Sequence, residues 1–85
     1  MHLEATRRFM KDYADLDSDL QQQVKKTLQL LQQNPSHPSL HHKKMEGCED
    51  IYEVRVTLKY RMTYQRIGDG GYLRRVGPHD ILRHP

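Results

Sequence analysis

The hydrophobic period of this chain changes once, and that change constrains the fold more than any other feature. Leu20, Val24, Leu28 and Leu31 recur at helical spacing, which makes one apolar stripe along a helix. Further on, Tyr52, Val54 and Val56 alternate with Glu53 and Arg55, and Tyr60, Met62 and Tyr64 alternate with Arg61, Thr63 and Gln65. A period of two belongs to strands with one buried face. Between the two patterns, Ser36 to Asp50 carries Pro38, three histidines, two lysines and Gly47, and it reads as a loop. Helices followed by strands stack on one face of an antiparallel sheet.

Local signals set the boundaries. Leu3 and Ala5 share one face of a short N-terminal strand, and Thr6 is an N-cap. Phe9, Tyr13 and Leu16 lie on one face of a first helix, and the pattern breaks at Asp15 to Asp17. Ser18 and Gln21 have the spacing of a capping box for the second helix. Asn34-Pro35 ends it, because a residue before proline avoids the helical region. Gly68-Asp69-Gly70-Gly71 is a hairpin turn, and Tyr72 to Val76 is a third strand closed by Gly77-Pro78. The expected fold is therefore α+β. It has a short N-terminal strand, a helical hairpin and an antiparallel three-strand meander, with the helices on one sheet face. It forms one domain over residues 1–85.

Composition narrows the function classes. No run of about 18 apolar residues is present, so no membrane-spanning helix is expected, and there is no basic-then-apolar leader. Cys48 is the only cysteine. This excludes an intramolecular disulfide framework and a thiolate-rich zinc site, and makes a cytoplasmic location the expectation. Residues 1–39 carry five basic and five acidic side chains, whereas residues 40–85 carry nine and six, so the whole net charge of +3 lies in the second part. A polyanion is the natural partner of such a surface; the plainer reading is a solvated charged face.

Strand alternation gives this charge a location. With Tyr52, Val54, Val56, Tyr60, Met62 and Tyr64 toward the helices, Glu53, Arg55, Arg61, Thr63 and Gln65 point the other way. An open cationic sheet face can simply meet water, or it can bind a phosphodiester. Arg75 and His79 share a parity at the end of the last strand.

Four segments carry a resemblance that spans nearly the whole chain. They are Lys44-Met45-Glu46-Gly47, Asp50-Ile51-Tyr52-Glu53-Val54-Arg55-Val56, Tyr60-Arg61-Met62-Thr63-Tyr64 and Val76-Gly77-Pro78-His79-Asp80. In this order, after two helices, the chain resembles a RelE/ParE-superfamily toxin of a toxin–antitoxin system, in the RelE-like branch with a YoeB/YafQ-like histidine. The resemblance implies a cognate antitoxin. It also implies either a ribosome-dependent mRNA endonuclease or, as in the ParE branch, a non-catalytic inhibitor of DNA gyrase. No cofactor, metal or membrane partner is expected, and the oligomeric state is left open.

Metal-independent RNA cleavage uses the 2′-hydroxyl as nucleophile. It needs a base, cations for the charge that builds on phosphorus, and an acid for the leaving 5′-oxygen. Arginine suits the second task because its planar fork stays charged and grips two phosphate oxygens. The resemblance assigns Arg61 and His79 to catalysis, with Arg55 as a second cation and Glu53 as a base or a salt-bridge partner. Arg61 is expected to face outward and carry little packing. Lys43, Lys44, His41, His42 and Arg75 are candidate RNA contacts, although a solvated basic loop would look the same. The chain departs from the nuclease pattern in having Glu53 and Arg55 in place of a lysine pair, and Ile81-Leu82-Arg83 where several members have an aromatic residue.

Overall fold

The computed structural model describes residues 1–85. Strand β1 (Leu3–Ala5) leads into helices α1 (Arg7–Ala14) and α2 (Ser18–Gln33). After a short 3₁₀ turn at Pro38–Leu40 come β2 (Lys43–Lys44), β3 (Ile51–Arg55), β4 (Tyr60–Ile67) and β5 (Gly70–Pro78). A second 3₁₀ turn, His79–Arg83, closes the chain. The sheet order is β1-β5-β4-β3-β2, with β1 parallel to β5 and the other pairs antiparallel. The expected α+β layers and the meander are present. The sheet has five strands because Lys43 and Lys44 pair with Glu53 and Tyr52. Two charged residues in a histidine-rich stretch carry no alternation to announce a strand.

The caps show how the helices are fixed. The Thr6 hydroxyl accepts from the Phe9 N–H at 3.2 Å and donates to the Leu73 carbonyl at 2.8 Å, so the start of α1 is tied to β5. The N-cap of α2 is Asp17, one residue before the expected Ser18, and its carboxylate accepts from the Leu20 N–H at 2.9 Å. Gln21 closes no capping box. Its side chain donates instead to the Tyr13 carbonyl at 3.0 Å and links the two helices. At the hairpin, Ile67 pairs with Gly70 across Gly68-Asp69. Gly68 has φ +60, the left-handed value that a two-residue turn of this kind requires at its first central position.

The core lies between the helices and one sheet face. Phe9, Val24, Leu31, Leu40, Val54, Met62, Tyr64, Leu73 and Val76 form one buried cluster. Leu73 and Val76 are three apart, yet both reach it. The ladder shifts between Thr63 and Tyr64, which pair with Arg75 and Leu73, so Arg74 is an extra residue on β5. Such a bulge resets the alternation.

The second sheet face is not open. The turn at His79–Arg83 folds back over it, and Ile81 is buried against Gly77, where an added Cβ would meet the isoleucine side chain at 2.8 Å. Glu53, Arg61 and Thr63 are consequently buried, at 8%, 8% and 0% exposure. An isoleucine four residues after a valine-glycine step supplies the apolar lid that strand alternation alone does not reveal.

Where β1 ends, Asp12 of α1 takes over the edge of β5. Its carboxylate accepts from the Val76 N–H at 3.2 Å and from Arg75 Nε at 2.7 Å, with Arg8 Nε at 3.4 Å. The side chains of Asp12 and Arg75 are only 13% and 16% exposed. Removing the carboxylate leaves a backbone donor and a nearly buried guanidinium without partners. Asp12→Ala is therefore expected to lower stability by about 2–3 kcal/mol. Urea unfolding measures this directly; an unchanged midpoint would show that water replaces the carboxylate without loss.

Candidate functional site

Three strand ends meet at one end of the sheet. Arg55 is the last residue of β3 and pairs directly with Arg61 on β4. Arg61 pairs on its other side with Gly77 of β5. Two residues later His79 is anchored by its N–H to the Lys59 carbonyl at 3.0 Å. The β3–β4 hairpin and the start of the last 3₁₀ turn thus bring Arg55, Arg61 and His79 to the same end of the fold. His79 is solvent-exposed.

Glu53 serves as the counter-ion of this group. Its carboxylate lies 3.4 Å from Lys43 Nζ and 3.8 Å from Arg61 Nε. Arg55 has no carboxylate within ion-pair reach, and its Nε is buried without a hydrogen-bond partner. Three cations therefore share one carboxylate. Burial holds the Arg61 guanidinium below its ordinary value; Arg55 adds to the depression and Glu53 opposes it. Like charges directly opposite each other on neighbouring strands destabilise a sheet, so the pair marks a place where a structural rule is broken.

Arg61 does not face outward as the alternation suggests. Its Nη1 donates to the carbonyls of Thr57, Leu58 and Tyr60 at 2.9, 2.9 and 3.1 Å. The hairpin is closed further by Val56 N–H to Tyr60 O at 3.0 Å and by Tyr60 N–H to the Thr57 hydroxyl at 3.2 Å. Its tip, Leu58, is 76% exposed. The short spacing between Val56 and Tyr60 signals a tight loop in the sequence. That an arginine side chain holds the loop from below is visible only in three dimensions.

The candidate RNA contacts separate into two groups. Lys43 and Lys44 are exposed on the edge strand β2, and His41 is exposed with φ 44 at the end of the first 3₁₀ turn. Arg75 is held by Asp12 and donates to the His84 carbonyl at 3.1 Å, so it is not a free surface cation. His42 is turned into the core. Its Nε2 lies 2.6 Å from the Tyr64 hydroxyl and its Nδ1 lies 3.0 Å from the Pro35 carbonyl. A carbonyl only accepts, so Nδ1 carries the proton and Nε2 accepts from the tyrosine. The ring sits 5.4 Å from Tyr52 and 5.6 Å from Tyr64, which stack on each other at 5.5 Å. His42 therefore pins the loop to the core. No three His, Cys, Asp or Glu side chains come together in a group that could hold a metal ion.

Burial pushes the Tyr64 phenol up to about 12; Arg66 pulls it down and Tyr52 adds to the rise. A group whose folded value is raised contributes stability that is complete below its unfolded value of 10.0 and is lost as pH rises through the folded one. Stability should therefore fall between about pH 10 and 12. Tyr64→Phe should flatten that part of the profile, while lowering stability near neutrality through the lost bond to His42. Unfolding midpoints measured across this range check both; an identical alkaline slope in the variant would rule out Tyr64 as the source.

No protein-family model and no curated protein sequence matches the chain. Solved structures do match. A chain of the intact E. coli RelBE toxin–antitoxin complex is 26% identical with a TM-score of 0.72, over 91% of this chain and 94% of that one. The RelB–RelE antitoxin–toxin complex from Methanococcus jannaschii gives 22% identity and a TM-score of 0.76, over 95% of each chain. YafQ from E. coli strain BL21(DE3) shares the fold at 16% identity and a TM-score of 0.77, over 94% of each. The layer order, the meander and the motifs along its strands agree with these structures, and the chain belongs to the RelE/ParE superfamily of toxins.

Proposed function

We propose that this protein is the toxin of a toxin–antitoxin pair and acts as a ribosome-dependent mRNA endonuclease. The observation that carries this reading is the charge excess at the end of the sheet. Arg55, Arg61 and Lys43 share the single carboxylate of Glu53, and an exposed imidazole, His79, stands beside the same hairpin. A fixed cationic site of this kind stabilises charge that grows on a phosphoryl group in the transition state.

In the proposed reaction the 2′-oxygen attacks the adjacent phosphorus, and the bond from phosphorus to the 5′-oxygen breaks. The proton of the 2′-hydroxyl passes to a base, and the leaving 5′-oxygen receives one from an acid. This gives a 2′,3′-cyclic phosphate and a 5′-hydroxyl. An imidazole can give or take a proton near neutral pH, which suits His79 to the proton transfer at the leaving oxygen. Glu53 is ion-paired and buried, so the salt-bridge role fits it better than that of base. The exposed Lys43, Lys44 and His41 extend the cationic surface along the sheet edge, where RNA backbone can lie. A cognate antitoxin is the expected partner, as the RelBE and RelB–RelE complexes among the structural neighbours suggest. No helix is long and apolar enough to cross a membrane.

Expressed alone in a translating extract, the wild-type protein should create new mRNA 5′ ends at codons held in the ribosome. His79→Ala should reduce cutting by about 10²–10⁴-fold, the usual effect of losing one proton-transfer group, with little change in unfolding midpoint because the side chain is exposed. The departures at Glu53 and Ile81-Leu82-Arg83 favour the second reading, a non-catalytic gyrase inhibitor. Absence of new mRNA ends together with trapped gyrase–DNA complexes would establish it.

A further inference from the structure

We propose that Arg55, rather than Arg61, is the guanidinium that meets the phosphodiester, and that Arg61 is a positioning residue. The proposal rests on the nuclease reading above and divides its labour between two paired arginines. Arg61 is committed already. Its Nη1 is shared among three hairpin carbonyls, and its Nε faces Glu53. Freeing it for a ligand would release the carbonyls of Thr57, Leu58 and Tyr60 together. Arg55 is the reverse case. It lies directly across the strand pair, is only partly buried, and has neither a carboxylate partner nor an acceptor for its Nε. A charged donor left without an acceptor is costly, and a phosphate oxygen is the acceptor that guanidinium geometry fits best.

The hairpin held by Arg61 has two functional ends. Lys59 offers the carbonyl that anchors the His79 N–H at 3.0 Å, so the imidazole's position depends on the loop. Leu58, 76% exposed at the tip, is the apolar group beside this cationic end and is presented by the same clamp. Arg61 therefore acts through His79 and the hairpin, whereas Arg55 touches the substrate.

The experiment uses the whole chain and a probe that cannot be cut, a deoxyribodinucleoside monophosphate. Followed by NMR of the arginine Nε–H groups, the probe should move the Arg55 resonance and leave that of Arg61 in place. Amide exchange at residues 57–60 should rise about tenfold in Arg61→Lys, the equivalent of one lost hydrogen bond, and stay unchanged in Arg55→Ala. In ribosome-programmed cleavage, Arg55→Ala should lose about 10²–10³-fold in rate. Adding Arg61→Lys to His79→Ala should slow cutting by less than about threefold, since residues acting through one another are not additive. A probe that shifts Arg61 and leaves Arg55 still would overturn the proposal, as would an Arg61→Lys variant whose hairpin exchanges at the wild-type rate. A wild-type protein that binds the probe through Arg55 but cuts no mRNA would remove the nuclease reading and leave the division between the arginines standing.

Discussion

Two guanidiniums stand opposite each other on β3 and β4, with one carboxylate serving both Arg61 and Lys43. Side by side, like charges repel, and burial raises the penalty because the screening of water is lost. The surroundings show how this is tolerated. Arg61 is dissolved in backbone carbonyls, which supply the partial negative charge that a second carboxylate would otherwise bring. Glu53 sits between Lys43 and Arg61. Arg55 is left over. The 3₁₀ turn seals the neighbouring rows with Ile81, so the charge excess has one outlet, at the strand ends where His79 emerges.

Much of the fold can be read from the sequence because its causes are local. The helical stripe of α2, the alternation of β3 and β4, the Thr6 cap, the Asn34-Pro35 stop and the glycine-rich hairpin each act within a few residues, and each appears in the structure. Features whose causes lie far apart do not show in this way. The carboxylate of Asp12 closes the edge of β5 across more than sixty positions of sequence. The bulge at Arg74 resets an alternation that looks regular on paper. His42 looks like a surface histidine in a basic loop, and only the placement of Tyr52 and Tyr64 turns it inward.

The site follows the same division. The motifs select the residues, and strand pairing brings Arg55, Arg61 and His79 to one end of the sheet. Their exposure could not be inferred from parity, because parity says which face a side chain takes and not what covers that face. Ile81 turns an expected open sheet into a sealed one. This replaces the picture of a broad cationic platform with a small cluster at the rim, where a single free guanidinium and an exposed imidazole adjoin a rigid hairpin. A polar arrangement of this kind weakens the sheet locally, as functional sites commonly do.

The chemistry of the cut ends tests this account most directly. An end-labelled mRNA held on ribosomes and treated with the wild-type protein should yield a 2′,3′-cyclic phosphate on the upstream fragment and a 5′-hydroxyl on the downstream one. Those termini require attack by the 2′-oxygen, with charge on phosphorus met by side chains of the rim cluster. A 3′-hydroxyl with a 5′-phosphate would place the attack on water and contradict the mechanism, and intact mRNA would contradict the function.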